Sequence, residues 1–246
     1  MAVEKLQVTP EEWLKRAMGA KTANARERFA RHGLASHAPL DRTTQAMLLR
    51  QLYLARFEQK RYSEAHRVAD EATELGILAD VLHQDAARAA LADGDVDTAL
   101  SHMRAAARKG PADRRSFHHW TLGSALFLLH RYVEAESAMN RAVRWGTKDK
   151  PLYQAHLALV QIAGGKTPAD DLEETVHALS EAPCGQGYGR FVLGHLAYAA
   201  GSFQVARRYL EAFVRKVESG PAVQALALSG ELAMARATLE KTAFDT

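Results

Sequence analysis

One short pattern recurs along this chain at a nearly fixed interval, and it restricts the fold to a stack of helical hairpins. The clearest copy runs from Ser116 to Asp149. Leu122, Leu126 and Leu129 recur there at helical spacing, and Gly123 removes a side chain where a second helix can come close. His130-Arg131-Tyr132 follows as a turn with an aromatic plug, and Ala135, Met139 and Ala142 share one stripe of the next helix. Such a hairpin cannot bury its own apolar stripe, so it needs neighbours.

The same turn-then-alanine pattern supplies them. Anchors fall at Ala65, Ala99, Ala135, Ala206 and Ala235, with a more divergent copy anchored on Leu172 and completed by Val176 and Leu179. In chain order the intervals are 34, 36, 37, 34 and 29 residues. A plug stands three residues before each of the five clear anchors (Tyr62, Val96, Tyr132, Phe203, Leu232), and Ala69, Met103, Met139, Leu210 or Leu239 stands four after. Twelve residues before the anchor a small residue recurs as Ala87, Gly123 and Gly194, with Tyr53 in the first copy. Gly230 is read as the turn residue of the last copy.

A helix-turn-helix unit with this period and this placement of small residues resembles the tetratricopeptide repeat family. Leu122-Gly123, Leu193-Gly194, the plugs Tyr62, Tyr132 and Phe203, the alanine anchors and Pro111 carry the resemblance, which spans roughly residues 43 to 242. Three features depart from the family pattern. His119 holds the place of the usual opening tryptophan, with Trp120 one position late; Gly164 to Pro168 is an inserted turn; and the last copy has a shortened first helix. The resemblance implies an all-α, right-handed superhelical solenoid of about six repeats, at about 43–77, 78–113, 116–149, 151–182, 187–219 and 221–242, forming one unit over 43–246. An alanine-rich chain with only 7 prolines suits that architecture.

Residues 1–42 form a separate helical cap or a partner-docking arm. Met1 to Val8 is expected to fray. Thr9-Pro10-Glu11-Glu12 is a helix start, with Thr9 as N-cap and the acids at the positive end of the dipole. A second helix is expected from about Ala23 to Arg31, ending at a His32-Gly33 glycine cap, with Ala35 to Leu40 as loop. The N-terminus lacks the apolar core of a signal peptide and no apolar run approaches the ~20 residues of a membrane span, which together with a single cysteine, Cys184, points to a cytoplasmic protein.

Sites for chemistry are few. The glycines around Cys184 to Gly189 follow no strand and lack the nucleotide-loop lysine, so they read as an inter-repeat loop. Adjacent His118 and His119 point about 100° apart on a helix and do not chelate as an i,i+4 pair. His156, His177 and His195 stand alone in their helices, so no metal site, no cofactor and no catalytic residue is expected. Residues 1–67 carry 13 Lys/Arg against 7 Asp/Glu, a basic end that leaves nucleic-acid binding as an alternative.

The family uses the first helices of successive hairpins to line a concave groove for a peptide or helix of a partner protein. Counting along those helices points Arg50, Leu54 and Phe57, then Gln84, Arg88 and Leu91, into it. Phe117, Trp120, Ser124 and Phe127 follow, then Phe191, His195 and Tyr198. Phe127 and Leu91 serve equally well as inter-helix core. The positions that grip a C-terminal carboxylate in one family subclass hold Arg50 and Leu54, Asp85, and Phe117 and Thr121 here, which cannot form that clamp. The expected function is therefore a non-catalytic scaffold or adaptor for a protein segment. The alternatives are a self-assembling structural protein, stacking through its end repeats, and a regulatory factor that binds nucleic acid.

Overall fold

The turn between the two helices of a hairpin is the element that every repeat shares. In each of the first five hairpins the first helix ends on a left-handed residue: Lys60, Gly94, His130, Gly165 and Gly201, with φ between 57° and 88°. The next amide then reaches back to the carbonyl five residues earlier, as Arg61 to Arg56, Asp95 to Ala90, Arg131 to Leu126, Lys166 to Gln161 and Ser202 to Ala197, at 2.8–2.9 Å. This is the Schellman closure, which satisfies an otherwise orphaned carbonyl and reverses the chain. Glycine supplies the positive φ in three turns; a lysine and a histidine are held in it in the other two.

The computed structural model describes residues 8–168 and 170–242; the expected fraying of the N-terminus falls outside them at residues 1–7. The described residues contain helices, short helical turns and loops, with no strand. An N-terminal pair, α1 (Pro10–Met18) and α2 (Ala23–Leu34), precedes the hairpins α3 (Arg42–Glu58) with α4 (Tyr62–Glu74), and α5 (Ala79–Asp93) with α6 (Val96–Lys109). Then come α7 (Arg115–Leu128) with α8 (Tyr132–Trp145), α9 (Lys150–Ala163) with α10 (Leu172–Glu181), and α11 (Gly189–Ala199) with α12 (Phe203–Glu218). A short α13 (Ala222–Ala227) and α14 (Ser229–Thr242) close the chain. Contacts divide it into two compact units, residues 1–110 and 111–246. The division falls where Gly110 and Pro111 both adopt extended backbone and interrupt the helical phase of the stack.

Inside a hairpin, the small residue of the first helix meets the residue four after the anchor. A Cβ added at Gly123 would stand 2.9 Å from Met139 Cε, and one at Gly194 would stand 2.5 Å from Leu210 Cγ. The corresponding pair in the first hairpin is Tyr53 with Ala69, and in the second Ala87 with Met103; all four are buried. A large residue on one helix is thus matched by a small one at the same place on the other, as close packing requires.

Three expectations are corrected. In the fourth hairpin Leu172 is only half-buried and opens α10, while Thr175 is buried and occupies the anchor place, with Leu179 four residues on. Ten residues rather than five separate the left-handed Gly165 from Thr175, so the insertion displaces the pattern, and Ala158 becomes the small residue of α9. In the last copy Gly230 lies within α14 rather than in a turn, because that helix begins at Ser229. Gly33, read as a helix cap, lies inside α2, which continues to Leu34 and is capped by Ala35. Its missing side chain admits Leu48 of α3, whose Cδ2 would be 2.7 Å from an added Cβ, and Trp13 of α1. The N-terminal pair is thereby packed on the first hairpin. Arg26 with Glu58 and Arg56 and Arg61 with Glu27 tie the same joint. The α1 start is as the sequence implies: Thr9 Oγ1 accepts from the Glu12 amide.

Candidate functional site

In unit 1 the first helices α3 and α5 bring Arg50, Leu54, Gln84 and Arg88 to their faces, and Asp85 organises them. Asp85 is nearly fully buried, and it accepts from Arg50 Nε at 2.6 Å and from Arg88 Nη1 at 3.1 Å. The two guanidinium side chains keep 31% and 37% of their surface exposed, so two cations share one sunken carboxylate and leave a net positive charge on this face. The Tyr53 hydroxyl lies beneath them, buried, and burial pushes its pKa up to about 12, so it stays neutral. Leu54 and Gln84 are half-buried.

In unit 2 the predicted residues separate into surface and core. Phe117 is 44% exposed and lies against half-buried Trp120, with ring centroids 5.9 Å apart. Trp120 also meets Tyr188 edge-on at 4.8 Å and Tyr153 at 6.0 Å, and its indole Nε1 donates to His156 Nδ1 at 3.2 Å. Because His156 Nδ1 accepts, its proton sits on Nε2, which is buried with no protein acceptor. Ser124 is buried, and its hydroxyl donates to the Trp120 carbonyl at 3.0 Å rather than pointing outward. Phe191 is fully buried between His195 (4.5 Å) and Phe213 (5.4 Å), and His195 is itself buried. These three therefore hold the aromatic layer from behind. Tyr198 is half-buried on Phe203.

The sequence reading missed the polar groups beneath that layer. Tyr188 donates from its hydroxyl to Glu231 Oε1 at 3.2 Å, and Glu231 is buried. Burial pushes the Glu231 carboxyl up to about 7, and pushes His156 down to about 3 and His195 down to about 4. A glutamate in a stretch read as a turn carried no signal of burial; only the register of α14 places it inward. The glycines near Cys184 serve close backbone approach: a Cβ on Gly185 would be 2.0 Å from the Leu179 carbonyl oxygen, and one on Gly189 2.7 Å from that of Cys184. Burial raises the Cys184 thiol, which disfavours a thiolate. His118 and His119 are both buried, and His119 packs against Trp145 at 5.2 Å.

Paired helices, a shared Schellman turn and matched small and large residues define a helical-repeat solenoid. A tetratricopeptide repeat family model matches residues 85–150 and 191–241, and the chain carries tetratricopeptide repeats. It is similar in fold to a tetratricopeptide repeat protein from Parabacteroides merdae ATCC 43184, with a TM-score of 0.61 at 17% identity, covering 95% of this chain and 91% of that one. It is also similar to a chain of the APC/C hetero-tetramer Cut9-Hcn1, with a TM-score of 0.56 at 16% identity. That alignment covers 97% of this chain and 49% of the other, so this chain spans about half its length. No curated protein matches in sequence.

Proposed function

We propose that this protein is a non-catalytic scaffold or adaptor that holds a segment of a partner protein against the first-helix faces of its repeats. The observation that carries the reading is Phe117, a large aromatic ring left 44% exposed and backed by half-buried Trp120. Aromatic anchors with little conformational freedom are what dominate binding energy at protein interfaces. The Arg50–Asp85–Arg88 group gives unit 1 an arginine-rich face of its own, suited to an acidic residue of a partner protein. The tetratricopeptide fold supports protein partners in general. No cofactor enters this reading.

Among the described residues no helix is long and apolar enough to cross a membrane. We place the protein in the cytoplasm. Nucleic-acid binding is disfavoured because several N-terminal arginines are engaged within the protein: Arg16, Arg26, Arg56 and Arg61 all lie within ion-pair distance of glutamates. The test is an affinity capture from the native cell with wild type, a Phe117→Ala variant and an Arg88→Ala variant, each checked by circular dichroism. A protein held by wild type and weakened by about 1–3 kcal/mol in Phe117→Ala supports the reading. Equal capture by all three overturns it, and concentration-dependent light scattering without capture moves it to self-assembly.

A further inference from the structure

We propose that unit 1 carries a Zn2+ site made by His66, Asp70 and His102, at the joint between its two tetratricopeptide hairpins. His66 and Asp70 stand one turn apart on α4 and so share a face, and His102 comes from α6. The donor atoms of the three residues all lie within 4.8 Å of one another. His66 Nε2 is 3.3 Å from Asp70 Oδ2, and His102 Nε2 is 2.9 Å from Asp70 Oδ1. Ligands at 2.0–2.2 Å around a tetrahedral zinc ion are spaced roughly 3.4 Å apart, so these atoms need only small movements to enclose one. Two imidazoles and one carboxylate form a donor set that zinc accepts, with a fourth position left for water.

Two further observations separate this group from a chance meeting of polar residues. His66 Nε2 and Asp70 Oδ1 are buried, and although they stand this close to their neighbours neither makes a well-directed hydrogen bond within the protein. Both imidazoles are also engaged through their other nitrogen. His66 Nδ1 lies 3.3 Å from Asp93 Oδ2, a carboxylate held by the Ser63 hydroxyl, and His102 Nδ1 lies 2.9 Å from His83 Nδ1. The carboxylate contact fixes His66 in the tautomer that presents Nε2, whereas the tautomer of His102 depends on what His83 meets on its far side. The Asp70 side chain is 43% exposed, which gives the ion a path from solvent.

Lys109 is the competitor. Its Nζ lies 3.0 Å from His83 Nε2, and an ammonium group only donates. With His83 Nε2 accepting from Lys109, the His83 proton is on Nδ1 and points to His102 Nδ1, which leaves the His102 proton on Nε2. Zinc requires the opposite tautomer of His102, so it binds at the expense of the Lys109 contact. The ion would link the second helices of two consecutive hairpins and stabilise unit 1 by mass action.

The experiment is a zinc titration of the full, tag-free chain against a chromogenic chelator, paired with thermal unfolding with and without Zn2+. Wild type is expected to take up one equivalent and to melt higher with zinc. His66→Ala, His102→Ala and the near-isosteric Asp70→Asn should each weaken binding by about tenfold or more and abolish the shift. Lys109→Met should tighten binding, a gain that loss of structure cannot produce, and His177→Ala should change nothing. Absence of stoichiometric uptake by wild type, or uptake unchanged in all three ligand variants, would overturn the site.

Discussion

The two units use one hairpin plan and treat buried polar groups in opposite ways. Unit 1 sets carboxylates between arginines: Asp85 sits between Arg50 and Arg88, and Glu27 between Arg56 and Arg61. Unit 2 keeps them neutral and walls them with rings: His156 lies against Trp120, Phe127 and Tyr188, His195 against Phe191, and Glu231 takes its hydrogen bond from Tyr188. The hairpin fixes only the turn, the anchor and the matched pair that lets the helices cross. What fills the first-helix positions is left to each unit.

The matched pair is the shared part, and breaking it should have the largest effect. Leucine at Gly194 would drive a branched side chain into Leu210, whose Cγ is already 2.5 Å from the place of a Cβ. We expect Gly194→Leu to cost roughly 3 kcal/mol or more in urea unfolding, at or above the top of the usual overpacking range. Alanine sharpens the point. At Gly123 the obstacle is the Met139 thioether, which bends, so Gly123→Ala should cost clearly less than Gly194→Ala. Equal costs at the two positions would show that the partner residue does not control the crossing.

A smaller effect separates the two units by pH. The Glu231 carboxyl is raised from its usual 4.5 to about 7, so the fold binds its proton more tightly than the unfolded chain does. The stability it contributes is complete below pH 4.5 and is lost as pH rises through about 7, a change of about 3 kcal/mol at 1.36 kcal/mol per unit. Glu231→Gln keeps the acceptor for Tyr188 and removes the charge, so it should outlast wild type in urea at pH 8 and match it near pH 4.5. The buried histidines act at the other end: His156 and His195 are lowered to about 3 and about 4, so unit 2 weakens as pH falls below 6.5. A pH-independent difference between Glu231→Gln and wild type would mean that the carboxylate is charged in the fold.

Unit 1 should answer to charge removal instead. Arg50→Ala or Arg88→Ala alone should cost about 1 kcal/mol, because the remaining half-exposed guanidinium still covers Asp85. The double variant strands a buried carboxylate and should cost about 3 kcal/mol, more than the two singles together. Strict additivity would mean that Asp85 is hydrated in the fold.

The sequence carried the shared plan and not the fillings. Period, anchors and small residues were legible because each is a local requirement of helix crossing, stated again in every copy. The register of the fourth hairpin was not, since Leu172 is an apolar residue that fits either plug or anchor and only the ten-residue turn decides. Phe191 and Trp120 hold equivalent positions, three residues before Gly194 and Gly123, yet the structure buries the first and leaves the second half-open, because Phe213 of α12 closes over Phe191. His66 and Asp70 were within reach as an i,i+4 pair of donors; His102 was not, because it arrives from another helix.

The smallest prediction concerns the turns in which glycine is missing. Lys60 and His130 occupy the left-handed position that Gly94, Gly165 and Gly201 fill elsewhere, with φ of 60° and 57°. A side chain there is crowded by its own backbone, at a cost of about 1 kcal/mol that glycine escapes, while glycine gives back part of the gain as extra freedom in the unfolded chain. Lys60→Gly should therefore raise the stability of unit 1 by about 0.5 kcal/mol. His130 differs, because its Nδ1 lies 2.7 Å from the Tyr132 hydroxyl and ties the turn to the plug of the next helix. His130→Gly loses that bond as it relieves the strain, so it should be neutral or slightly destabilising. Thermal unfolding of the two variants decides it: a gain at His130 equal to that at Lys60 would show that the histidine–tyrosine contact contributes nothing to the turn.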